Sequence, residues 1–148
     1  MDQVGLDRNY NAQVEVSLVR KRLQSAMASA RERARRHREQ SAEAERAYAT
    51  FLSDVATPVM KHVANALKAE GYAFTLFTPR DGLRLASDRG RDDFIEIALD
   101  ADAEPPQVVG RISRTRGSRT LTDERPVKSG TAPQDLSDED VLDFLLDA

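Results

Sequence analysis

The residues best equipped for chemistry in this chain are arginines, and nine of them cluster in two groups. One is "RERARRHREQ" at 31–40, where Arg31, Arg33, Arg35, Arg36 and Arg38 surround His37. The other is "RISRTRGSR", with Arg111, Arg114, Arg116 and Arg119 interleaved with Ser113, Thr115 and Ser118. A guanidinium presents a planar fork of donors that matches phosphate or carboxylate oxygens. Both groups are therefore candidate phosphate-binding elements, and nucleic acid is a candidate partner. Neither contains an aromatic residue to stack on single-stranded bases. The first group also reads as the solvated face of a helix. Glu32, Glu39, Glu43 and Glu45 interleave with or follow it, and Arg35 and Glu39 have i,i+4 spacing.

Other chemistry is scarce. The only histidines are His37 and His62, without H-E-x-x-H spacing, so no metal site is expected. There is no cysteine, which excludes disulfides, thiolate metal sites and a cysteine nucleophile. "DADAE" at 100–104 opens like a calcium loop. Such a loop needs glycine where Pro105 stands and a bidentate acid where Arg111 stands. Asp92 and Asp93 are adjacent, which on a strand points them to opposite faces. Glycine-rich phosphate loops and the G-x-S-x-G elbow are absent. The expectation is a non-enzymatic protein with no catalytic residues, no cofactor, no metal and no small-molecule substrate.

These residues need elements to hold them. Between Gly5 and Pro58 there is no glycine or proline, and good helix formers dominate. Residues 12–70 read as mostly helix, though "AQVEVSLV" alternates like a strand. A loose heptad runs Val16, Leu23, Ala30, His37, Ala44, with Val19 and Met27 beside it. These seven residues form the candidate interaction seam, and protonation of His37 within a paired seam would oppose pairing. A continuous helix over 12–57 would be roughly 70 Å long, more than a core from this chain can cover. From Tyr48 onward the stripe becomes large and apolar, a core-facing pattern with a kink expected at Pro58. Gly71 fits a Schellman stop.

After Gly71 come "YAFTLFT", "LRLAS", "FIEIALD", "QVVGRISR" and "RTLTDERPV", separated by turn signals, as in an antiparallel meander. Ser137 should cap a last helix that runs raggedly to Ala148. The fold expected is α+β and two-layered: a long N-terminal helix, as a coiled coil or alone, a four- to five-stranded sheet and a C-terminal helix. Its parts are a basic helical arm at 1–46 and an α+β domain at 47–148, with helix 47–70, sheet 72–128 and helix 138–148.

Net charge is −3 but unevenly spread. Arg20 to Arg38 holds eight Lys/Arg and one Glu, while Gln134 to Ala148 holds six acids and no base. The N-terminus shows no signal peptide and no stretch is apolar enough to span a bilayer, so a cytoplasmic protein without membrane contact is expected. An Ala/Arg/Asp-rich composition fits a GC-rich bacterial or phage genome. The function expected is oligomerisation, or binding of a protein partner, through the long helix. The alternative is nucleic-acid binding by helix 20–38 and the Arg111–Arg119 hairpin.

Overall fold

The computed structural model describes residues 2–148, with side chains from Glu15 onward. Helix α1 (Asp2–Phe51) is followed by a π-turn at Leu52–Ala56 and helix α2 (Thr57–Ala69). The alternating stretch from Ala12 is helical, not extended, wherever its side chains are described. Two compact units result, one up to Glu39 and one from Gln40 on. Residues 40–46, which the sequence pattern alone places in the arm, belong to the second unit.

The π-turn is the form that the expected kink takes. Pro58 has no N–H for the carbonyl four residues earlier, and its ring crowds that carbonyl. The backbone widens, so that the Thr57 N–H bonds to Leu52 O, and the helix then continues. The extra residue in the turn shifts the buried face. Tyr48 and Phe51 are buried before it and Ala56 and Met60 after it, while Leu52, Val55 and Val59 are only partly covered. Gly71, at φ +92°, ends α2 as predicted. The Tyr72 N–H bonds to Leu67 O at 2.8 Å and the Gly71 N–H to Lys68 O at 3.0 Å, the two bonds of a Schellman motif. The Tyr72 ring nevertheless stays exposed.

Five antiparallel strands follow in simple order: β1 (Phe74–Phe77), β2 (Leu83–Ser87), β3 (Phe94–Asp100), β4 (Gln107–Arg116) and β5 (Arg119–Pro126). Alternation decides which face is covered. Leu83, Leu85, Ile97, Val108 and Ile112 share one face and are all buried. Against them pack Phe51, Ala56, Met60 and, from helix α3 (Asp138–Asp147), Val141, Phe144 and Leu145. This is a two-layer α+β unit. Burial of each of these side chains larger than alanine stabilises by about 1.5–3 kcal/mol before entropy is counted. Gly110 in β4 lies directly under Phe144, and a methyl group at its Cα would fall inside the ring. The missing side chain is what lets α3 settle onto the sheet.

Side-chain hydrogen bonds complete the unit. Ser41 Oγ donates to Ala101 O at 3.2 Å and Tyr48 Oη to Ile97 O at 3.3 Å, tying the last turns of α1 to β3 and the loop after it. Ser137 caps α3 in a reciprocal box. Its Oγ accepts from the Asp140 N–H, and its own N–H donates to the Asp140 carboxylate. Three acids in the first turn of α3 suit the positive end of the helix dipole.

Candidate functional site

In the first unit, α1 leaves large apolar side chains uncovered. Val16 is 59% exposed, Val19 62%, Leu23 57% and Met27 46%. At 3.6 residues per turn these four and Ala30 lie on one side of the helix, whereas exposed Leu18 points the other way. The seam residues do not share one environment. Val16 to Ala30 are exposed and His37 is partly buried. Ala44, however, is buried in the second unit and offers no surface to a partner.

The arginines of this helix are exposed, but several are engaged. Arg35 is paired with both Glu32 and Glu39, and Arg36 lies 3.5 Å from Glu32. The hydrogen bond from Arg35, with the charges of both arginines, holds the Glu32 carboxyl below its ordinary range. Arg31, Arg33 and Arg38 have no ion-pair partner among the described residues. The i,i+4 reading of Arg35 and Glu39 is correct, and these exposed pairs contribute little to stability.

The second group of arginines is divided by the sheet. β4 and β5 pair from Val109↔Pro126 out to Arg116↔Arg119, while β3 stops at Phe94↔Ser113. Beyond Ser113 the two strands form a ribbon of their own, closed by Gly117 and Ser118. Gly117 at φ +64° supplies the positive angle that the first position of a II′ turn requires. Parity puts Arg114, Arg116 and Arg119 on one face, the outward continuation of the face where Ile112 is buried. Arg111 lies on the opposite face and pairs with Glu124 at 3.4 Å. The sequence grouping of four arginines is thus corrected to three. Asp93, singled out as one of two adjacent acids, anchors the ribbon's base by accepting from the Thr115 N–H at 2.6 Å. A shallow depression beside the ribbon is lined by Arg114, Arg116, Leu121, Asp123, Arg125 and Asp147.

No family model, no curated protein and no solved structure shows significant similarity to this chain. Geometry and chemistry must therefore carry the functional reading. No helix is long and apolar enough to cross a membrane, and no three His, Asp or Glu converge as a metal-binding group, both among the described residues.

Three further features escaped the sequence pattern. An open crevice between the end of α1 and the β1–β2 turn is lined by Glu45, Tyr48, Asp81, Glu96 and Arg111. Its central polar groups serve the fold. Tyr48 donates to backbone, and burial, then the carboxylates of Asp81 and Glu96, push its hydroxyl far above the ordinary range. Glu96 is held by Arg84 at 3.0 Å, and the Arg84 guanidinium lies 3.9 Å from the centre of the Phe94 ring. Lastly, a groove lined by Val59, His62, Val63, Ala66, Asp138, Glu139 and Leu142 places an exposed His62 beside α3. The turn near Gly117-Ser118 is visible in the sequence, and alternation along the strand before it separates Arg111 from Arg114 and Arg116.

Proposed function

We propose that this protein works by assembly: α1 associates with another helix through Val16, Val19, Leu23 and Met27. The observation behind this reading is the stripe of half-exposed apolar side chains on one side of an otherwise highly charged helix. Isolated exposed apolar residues need no explanation, but four at helical spacing form a surface that gains from being covered. A second copy of the same chain is the simplest partner, and a helix of another protein is the other.

Magnitudes limit the affinity. Each of the four side chains is already about half covered, so burying it fully gains about 1 kcal/mol. Eight such side chains in a symmetric pair give about 8 kcal/mol, against an association cost of about 4–15 kcal/mol. The alanines that continue the seam add little. Pairing between copies is therefore weak and concentration-dependent. It also brings two basic segments together, so added salt should strengthen it by screening their repulsion. An acidic partner helix would show the opposite salt response.

Sedimentation equilibrium of the intact chain tests this. The expected result is a mass that rises above the monomer at tens of micromolar. A monomer throughout that range rules out self-assembly and leaves a different protein as the partner.

A further inference from the structure

We propose that the β4–β5 ribbon is a second binding surface, one that grips the phosphates of duplex DNA through Arg114, Arg116 and Arg119. Four observations converge on it, and none involves the helical arm. First, the three guanidinium groups share one face of a two-stranded ribbon whose residues are all exposed from Arg114 to Thr122. Second, Arg116 and Arg119 stand directly opposite each other across the strands. Like charges in that position destabilise a hairpin, and no ion pair among the described residues ties down either one. Third, no acidic residue occurs between Arg114 and Thr122, and none of the three arginines has an ion-pair partner among the described residues. Arg35, Arg36, Arg84 and Arg111 all have one. Fourth, the ribbon's other face carries Thr115, Thr120 and Thr122, so its charge is confined to the arginine face.

The shape favours duplex DNA among polyanions. A two-stranded ribbon fits the B-form major groove, which is about 12 Å wide. The deep, narrow major groove of duplex RNA does not admit it. No aromatic side chain stands in the ribbon to stack on single-stranded bases. Asp123 and Asp147 border the arginine face near its base, balanced in part by Arg125. Contacts are to the backbone, so binding is independent of sequence.

The test is fluorescence anisotropy of the full chain with a short random-sequence DNA duplex. Three phosphate contacts give a salt slope of about −2.7, so binding should weaken roughly 40-fold between about 50 and 200 mM salt. The triple variant Arg114→Gln, Arg116→Gln, Arg119→Gln should melt like the parent chain, because all three side chains are exposed. It should bind at least roughly tenfold more weakly at low salt. The arm variant Arg31→Gln, Arg33→Gln, Arg38→Gln should keep the parent affinity. No duplex binding at low salt overturns the proposal. So does an unchanged affinity in the ribbon variant, and so does a polyglutamate peptide that binds the ribbon as well as the duplex does.

Discussion

Helix α1 contains two stretches with the same periodicity and opposite fates. From Ser41 to Phe51 its apolar side is buried on the sheet; from Val16 to Met27 it is half exposed. The number of charges does not separate them, since each holds three charged residues, although only the lower stretch has aromatic residues. The difference is that Tyr48 and Phe51 meet Ile97 and the core, whereas nothing described in the first unit covers Val16 or Leu23. Helix propensity makes both stretches helical. Only burial decides which one the fold depends on, and an uncovered stripe is a surface still available for association.

Substitutions in the two units can break that contrast. Phe51→Ala should cost about 3–5 kcal/mol in thermal or urea unfolding, by loss of burial and creation of a cavity. Next in size is Gly110→Ala. The added methyl collides with Phe144, and lifting α3 should cost about 1–3 kcal/mol in the same measurement. Ser137→Ala removes the cap of α3 and should cost about 1 kcal/mol. By contrast, Leu23→Ala in the upper stretch should change the monomer's stability by less than about 0.5 kcal/mol. If Leu23→Ala destabilised the monomer as much as Phe51→Ala does, the two stretches would not differ.

The cap also has a pH signature. Hydrogen bonding to the Ser137 backbone, then to its side chain and to Lys128, holds the Asp140 carboxyl below its ordinary 3.8. A lowered value in the folded state means that the ionised form favours folding. The contribution is present above pH 3.8 and is lost as the pH falls through the lowered value. Asp140→Asn should therefore be less stable than the parent at about pH 6, and the gap should close in acid. A gap that stays constant with pH would show that Asp140 acts by shape alone.

Most of the fold was legible because each element carries its own local signal. The Gly71 stop, the Ser137 cap, the alternating strands and the short turns all declare themselves in a few residues. The π-turn did not, because Pro58 marks an interruption without saying how the helix absorbs it. Gly110 under Phe144 was equally silent: a glycine within a strand pattern does not name the side chain that fills its space. At the candidate surfaces, residue types were readable and faces were not. The arginines of "RISRTRGSR" look like one cluster in the sequence. Alternation along β4 turns Arg111 away from Arg114 and Arg116, and the register adds its pairing with Glu124 and sets Arg116 against Arg119. Ala44 likewise matches the seam by spacing and is removed from it by burial in the second unit.

The most direct test of assembly places the same substitution on two sides of the upper helix. Leu23→Glu and Leu18→Glu introduce the same charge five residues apart, one in the stripe and one opposite it. In sedimentation equilibrium at tens of micromolar, Leu23→Glu should be monomeric and Leu18→Glu should associate like the parent chain. Equal association of all three chains, or equal loss in both variants, would contradict the stripe as the assembly surface.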